Sequence, residues 1–173
     1  MICGRFLVVC MLLSDAEILD YVRGGKLIVE GFQQANLTPN GYDLSIGEIL
    51  IPDRSETYSS GSAKISGNTW FLVGTSEVVE LPQEITGQLW IRTSWARKGI
   101  IGSFGKVDAG FRGNLTLSAF NASHKDLEIN IGSRFAQIVF MKMSRDAERD
   151  YGSRSGNYQD QRGVTIEPKK PIR

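Results

Sequence analysis

One carboxylate stands at the start of an alternating strand pattern in residues 107–121, VDAGFRGNLTLSAFN. Asp108 precedes an Ala-Gly pair, and on the strand that follows, Thr116 and Ser118 share one face while the apolar residues beside them share the other. A single acid in this position favours a general base, because a carboxylate can accept a proton near neutral pH. The common alternative is an Asp that forms a turn by bonding its own backbone. Both interpretations of Asp108 are open at this point.

A second polar group lies in residues 91–99, IRTSWARKG, directly after a strand pattern. It combines hydroxyl groups and guanidinium groups at Arg92, Thr93, Ser94 and Arg97. Such donors suit phosphate oxygens, because guanidinium and hydroxyl groups form short charge-assisted hydrogen bonds with them. The alternative is a helical turn with a solvated basic face, and the segment alone favours that alternative.

Composition excludes several classes of site and partner. The 20 basic and 19 acidic residues nearly balance, so a broad nucleic-acid-binding surface is not expected. Cys3, Cys10 and the single histidine, His124, cannot supply the four ligands that a zinc site usually has. Both cysteines lie in the first ten residues, which fits a reducing cytoplasm.

The N-terminal region predicts a short helix and no membrane span. The run FLVVCMLL at 6–13 is too short to cross a bilayer and is expected to form an extra strand or a hydrophobic staple, with Met11 as an alternative natural start. Ser14 and Glu17 form a capping-box pattern at the start of a helix, and Gly24 follows its apolar face.

Most of the remaining chain has strand character. β-Branched, aromatic or alternating patterns predict strands at 27–32, 42–51, 69–81, 88–94, 114–121 and 127–143. Short strands at this spacing indicate a sandwich, a jelly roll or a barrel, here as one domain over residues 1–143. Residues 144–173 are polar and without apolar periodicity, which predicts a mobile tail that is either a solvated end or a segment that closes over a ligand.

Six blocks occur in a set order along the chain: NLTPNGYDLSIG, GTSEVVELP, IRTSWARKG, VDAGFRGNLTL, GSRFAQIVF and YGSRSGNYQDQRGVT. In this order they resemble the dCTP deaminase/dUTPase superfamily over the chain from Met11 onwards. The second block and the tail are more similar to the deaminase-like branch, and the whole chain most resembles an archaeal-type dUTP diphosphatase. The resemblance implies an all-β, jelly-roll-like distorted barrel with a short N-terminal helix. It also implies a homotrimer with active sites between subunits.

The same resemblance implies roles for individual residues. Asp108 would orient the water that attacks the α-phosphorus of dUTP, and Phe111 would pack beneath the deoxyribose. The triphosphate would carry Mg²⁺, with no direct protein ligand, and would be bound by Arg92, Thr93, Ser94 and Arg97. Uracil would be bound by backbone groups along residues 114–117, with contacts expected at Thr116, Leu117 and Ser118. Nucleotide contacts are also implied for four residues further along the chain, Gln137, Tyr151, Tyr158 and Gln161.

One departure from the family pattern bears on the reaction. Deaminases of this family carry a Glu ten residues after the Asp, where this chain has Ser118. Deamination without zinc needs a group that moves protons between water and the base, and a serine alkoxide is too basic for that task. We therefore expect hydrolysis of dUTP to dUMP and pyrophosphate. The alternatives are a dCTP deaminase or bifunctional enzyme in which Glu77 or Glu80 compensates, and a non-catalytic nucleotide-binding trimer.

Overall fold

The computed structural model describes residues 11–169, and strands dominate this part of the chain. The strands, β1 to β15 in chain order, are Met11–Leu12, Leu27–Glu30, Leu37–Thr38, Gly41–Ile51, Glu56–Tyr58, Ser62–Ile65, Thr69–Thr75, Val78–Glu80, Ile85–Ile91, Ile100–Ser103, Lys106–Val107, Arg112–Gly113, Thr116–Asn121, Leu127–Asn130 and Arg134–Lys142. The α-helices α1 to α3 are Asp15–Arg23, Thr93–Ala96 and Tyr151–Arg154. The predicted all-β class with a short N-terminal helix is confirmed.

One large curled sheet forms the body of the fold. Its strands run in the order β10-β13-β7-β4-β15-β9-β11 with antiparallel pairing, and β1, β3 and β5 add to its flanks. A three-stranded sheet, β12-β8-β2, and a two-stranded sheet, β14-β6, pack beside it. Strands that are distant in the sequence therefore become neighbours, which places residues of β13 beside residues of β7 and β10.

The N-terminal helix forms where its local signals predict it. The Ser14 hydroxyl caps the helix by accepting from the Glu17 amide, and the Glu17 carboxylate accepts from the Ser14 amide at 2.9 Å. Ile18 is fully buried on the inner face of the helix, and Gly24 ends it. The strand or staple predicted for 6–13 lies mostly outside the described residues, but its last part forms β1 against β15.

Several strand predictions needed correction. The strand predicted for 69–81 divides into β7 and β8, because Glu77 turns inward and its carboxylate accepts from the Ser45 amide at 2.9 Å. The strand predicted for 127–143 divides into β14 and β15 at Gly132, whose φ of 84° makes a turn. The strand predicted for 88–94 ends at Ile91, and the helical turn α2 follows. The patterns do not predict β3, β5, β6, β10, β11 and β12.

The core lies inside the curled sheet and contains a cluster of aromatic rings. The Phe135 ring is 1% exposed and lies 6.1 Å from the Phe71 ring and 5.9 Å from the Trp95 ring. Burial of large aromatic side chains contributes a major share of the stabilising free energy in such a core. Among residues 11–169 no helix is long and apolar enough to cross a membrane.

Candidate functional site

A cavity of about 340 Å³ opens where β13, the turn after β11 and the C-terminal segment meet. Its floor is formed by β13, whose alternation places Leu117 in the core and turns Thr116 and Ser118 towards the opening. We call it the Asp108 cavity. Eight of its lining residues were predicted as site residues from the sequence: Asp108, Phe111, Thr116, Leu117, Ser118, Tyr151, Tyr158 and Gln161.

Asp108 begins a tight turn between β11 and β12. Its backbone carbonyl accepts from the Phe111 amide at 3.1 Å, and Gly110 holds the φ of 81° that the turn requires. The Asp108 side chain is exposed and has no hydrogen-bond or ion-pair partner within residues 11–169. The turn thus uses the backbone of Asp108 and leaves its carboxylate available to the cavity.

Phe111 belongs both to the core and to the lining of the cavity. Its side chain is 5% exposed, as expected of a core residue, yet it also lines the cavity. The edge of the Tyr151 ring meets the Phe111 ring at a centroid distance of 5.4 Å. A buried, braced aromatic ring offers a flat apolar surface at a fixed position, which suits packing against a sugar.

Among the described residues that line this cavity, Asp108 is the only acid. Glu77, one candidate for the missing deaminase acid, is fully buried elsewhere, and burial raises the pKa of its carboxyl. Glu80, the other candidate, forms an ion pair with Arg112 at 3.0 Å. Neither carboxylate lines the cavity, so the described chain supplies one acid here and no second one.

The C-terminal segment lies against the cavity and follows the strand that forms its floor. The backbone N–H of Asn114 donates to the Gln161 backbone carbonyl at 3.1 Å. The backbone N–H of Thr165 donates to the Thr116 hydroxyl at 3.0 Å. The backbones approach so closely at Gly113 that a Cβ there would lie 3.0 Å from the Gln161 nitrogen. The segment that the sequence predicts to be mobile therefore has a defined docking position in this structure.

Charged pairs hold the same segment to the domain. Arg162 donates to both carboxylate oxygens of Glu30 at 2.8 Å. Arg112 lies between Glu80 and Asp160, at 3.0 and 2.9 Å. These side chains are about a third to a half exposed, so each pair contributes little by itself, and only a network of such pairs holds a segment in place.

Gln161 lines the cavity, and its side-chain amide is held in place. Its side-chain Nε2 donates to the Asn114 carbonyl at 2.6 Å, which fixes the orientation of the amide. The Oε1 atom is buried and has no hydrogen-bond partner among the described residues. The nucleotide contact implied for Gln161 stays a prediction.

Three of the four predicted phosphate-binding residues line a separate cavity of about 480 Å³, the Arg92 cavity. The backbone leaves β9 at Ile91 and turns into the single helical turn α2, which exposes the Thr93 and Ser94 side chains. Four of the predicted residues lie in this cavity: Arg92, Thr93, Ser94 and Gln137. Arg97 is exposed but lines neither cavity.

Asp43 organises the Arg92 cavity, and the sequence reasoning assigned it no role. Its side chain is 5% exposed and accepts from Arg92 Nε at 2.9 Å, from Arg134 at 3.4 Å and from Gln137 at 3.4 Å. A carboxylate that binds two guanidinium groups fixes their orientation and lowers the charge they present. Its place in the NGYD block, one of the six quoted above, was the signal that could have identified it.

The two cavities share no lining residue, so Asp108 and Arg92 line different cavities of this chain. Within residues 11–169, no three His, Cys, Asp or Glu side chains converge in a way that could hold a metal ion.

Comparison with known sequences identifies relatives along most of the chain. A family model described as dCTP deaminase-like matches residues 52–143. A Thermococcus kodakarensis protein named dCTP deaminase is 38% identical over 147 residues, which cover 84% of this chain and 93% of that relative. A Sulfolobus islandicus rod-shaped virus 1 protein, named "Probable deoxyuridine 5'-triphosphate nucleotidohydrolase", is 32% identical over 158 residues, covering 90% of this chain and 98% of the viral one.

Solved structures share the fold at low sequence identity. The 2'-deoxycytidine 5'-triphosphate deaminase of Agrobacterium tumefaciens superposes with a TM-score of 0.67 at 21% identity, covering 77% of this chain and 48% of that one. The present chain thus spans about half the length of that protein. A mutant dUTPase from phage phi11 of S. aureus superposes with a TM-score of 0.51 at 19% identity, covering 68% and 86%. These likenesses confirm the dUTPase-like fold predicted from the sequence.

Proposed function

The chain belongs to the dCTP deaminase-like family, and on that premise we propose that it is a dUTP diphosphatase. It would hydrolyse dUTP to dUMP and pyrophosphate by attack of water on the α-phosphate. The observation that carries the proposal is the single unpaired carboxylate of Asp108 in a cavity whose described lining has no second acid. Asp108 can accept a proton from water, whereas deamination would also need a group beside the base that moves protons between water and the ring, and this chain has Ser118 at that position.

In the proposed reaction, Asp108 holds the attacking water and accepts its proton. Phe111 supports the deoxyribose, and the backbone at the start of β13 binds the base. The Arg92 cavity supplies the donors for the β- and γ-phosphates, where charge develops as the bond to the α-phosphate breaks. Holding the water and phosphate in line provides much of the acceleration in reactions of this kind.

A magnesium ion fits this proposal through the substrate. The donor set of the Arg92 cavity consists of guanidinium, hydroxyl and amide groups around Asp43, which suits phosphate oxygens better than a bare cation. Mg²⁺, when bound, would neutralise charge on the triphosphate. Asp43 would meanwhile keep Arg92 and Gln137 oriented towards those oxygens.

The separation of the two cavities supports a shared site between copies of the chain. If the α-phosphate of the substrate lies at Asp108, its other phosphates need guanidinium donors nearby. The same chain places such a donor, Arg92, in the other cavity. A homotrimer would supply them if the Asp108 cavity of one subunit met the Arg92 cavity of the next. The large exposed side chains of Trp90 and Ile101, 56% and 61% accessible, are of the kind that subunit contacts cover.

A second candidate is deamination of dCTP, alone or combined with hydrolysis. The names of the cellular relatives favour it, since the Thermococcus kodakarensis protein is named dCTP deaminase. The viral relative is named for hydrolysis of deoxyuridine triphosphate, so the names of relatives alone leave two reactions open. Ser118 at the position of the deaminase acid supports hydrolysis.

Hydrolysis in ¹⁸O-labelled water tests the proposed reaction. Attack on the α-phosphate should place the label in dUMP and leave the pyrophosphate unlabelled, because the bond between the α-phosphorus and its bridging oxygen is the one that breaks. Mass spectrometry of both products after incubation with dUTP and Mg²⁺ gives the result. Label in pyrophosphate, or no release of pyrophosphate, would contradict the proposal.

A further inference from the structure

Trp70 forms a hydrogen bond with a residue of the Asp108 cavity. Its indole Nε1 donates to the Ser118 hydroxyl oxygen at 2.8 Å. The contact arises because β7 pairs with β13, which places Trp70 opposite Phe120 and diagonal to Ser118 on the same face. An indole N–H is a donor only, so the Ser118 oxygen must be the acceptor.

This bond determines what Ser118 offers to the cavity. A hydroxyl has one proton to donate and two lone pairs, and Trp70 occupies one of the lone pairs. Within residues 11–169 the Ser118 hydroxyl has no other hydrogen-bond partner, and the residue lines the cavity. Its proton is therefore directed away from Trp70 and remains available to a bound molecule.

The shape of a pyrimidine connects this donor to base selection, and the argument rests on the function proposed above. The sugar is attached at N1, and C4 lies on the opposite side of the ring. If the sugar lies at Asp108 and Phe111, the base extends along β13, and its 4-substituent faces Ser118. Uracil has a carbonyl at this position, whereas cytosine has an amino group.

We propose that Trp70 is a positioning residue that fixes the Ser118 hydroxyl as a donor to the 4-position of the base and thereby selects uracil over cytosine. With uracil, the hydroxyl accepts from Trp70 and donates to the carbonyl, so both groups are paired. With cytosine, the amino group can use only the second lone pair, and the hydroxyl proton is left without an acceptor. One hydrogen bond of this kind changes relative affinity by about three- to tenfold.

Replacement of Trp70 by Phe in the full chain tests the proposal, because it removes the N–H and keeps an aromatic ring. Binding of dUMP and dCMP, measured by calorimetry, should show the preference for dUMP falling by about three- to tenfold. If Trp70 has only a structural role, its replacement should weaken the binding of dUMP and of dCMP by the same factor. Phe120→Leu is the matched control, since Phe120 lies opposite Trp70 and both side chains are 38% exposed. The preference of this variant for dUMP over dCMP should stay unchanged.

Ser118→Ala separates the possible outcomes. Because Trp70 acts through Ser118, the Ser118→Ala variant and the Trp70→Phe/Ser118→Ala double variant should lose the same share of the preference for dUMP over dCMP. An unchanged preference in Trp70→Phe, or further loss in the double variant, would overturn the proposal. If Trp70→Phe does not fold, an unchanged preference in Ser118→Ala still overturns it. Binding of monophosphates needs no hydrolysis, so these results are independent of whether dUTP is cleaved.

Discussion

Replacing Asp108 with Asn is expected to reduce dUTP turnover by roughly two to four powers of ten. The amide has nearly the same size as the carboxylate but cannot accept a proton from water. The turn itself uses the backbone carbonyl of Asp108, so the local fold should persist. Steady-state release of pyrophosphate gives the rate, and calorimetry with dUMP should show binding close to that of the unaltered protein.

Asp53→Asn is the matched control for this substitution. Asp53 is also exposed at a turn and lines neither cavity, so its replacement removes the same charge without touching the site. Turnover in this control should stay within about twofold of the unaltered protein, because a distant exposed charge is screened by solvent. Near-normal turnover in Asp108→Asn would show that Asp108 is only a turn residue.

Removal of residues 144–173 is the second change for which we expect a large loss, of about a hundredfold or more in turnover. The removed segment supplies four lining residues of the Asp108 cavity: Tyr151, Tyr158, Gln161 and Thr165. Without them the cavity opens to water, which weakens every charge interaction within it. Any closing of this segment over a ligand, one of the two alternatives that the sequence leaves for it, would be lost as well.

Stability should change much less than activity in this truncation. All fifteen described strands end by Lys142, so the sheets remain complete. The truncation removes the aromatic contact between Tyr151 and Phe111, worth about 0.5–1.5 kcal/mol beyond the area it buries, and the packing of Tyr158 against the core. We therefore expect a lower melting midpoint for a domain that still folds.

A shorter truncation provides the comparison. A chain that ends at Glu167 retains every lining residue of the cavity and should keep nearly full turnover. A chain ending before Ser144 that melts normally and turns over dUTP at the full rate would show that the segment is only a solvated end.

Local signals in the sequence predicted the elements that depend on local contacts. The capping box at Ser14 and Glu17 fixes the start of α1 whatever packs against it, so the helix is confirmed at the predicted place. The break between β7 and β8 depends on Glu77, whose carboxylate bonds the Ser45 amide far away in the sequence. Periodicity within one segment cannot predict such a contact, because its cause lies in another strand.

In the candidate site, too, the sequence predicted some features, while others depend on contacts between distant strands. The order of sequence blocks identified Asp108, Phe111 and the β13 residues, which the fold brings into one cavity. It did not predict that Arg92 lies in another cavity or that Asp43 orients it, because both facts follow from the pairing of β4, β15 and β9. The bond from Trp70 to Ser118 likewise exists only once β7 and β13 are neighbours.

The central claim is that the Asp108 cavity, with Ser118 at the position of the deaminase acid, supports hydrolysis and not deamination. In the most direct measurement, the protein is incubated with dUTP and with dCTP in separate reactions containing Mg²⁺. The pyrophosphate and the ammonia released in each reaction are then determined. We predict pyrophosphate from dUTP and no ammonia from dCTP, because Ser118 cannot move the protons that deamination requires. Ammonia released from dCTP at a rate comparable to dUTP cleavage would contradict the claim.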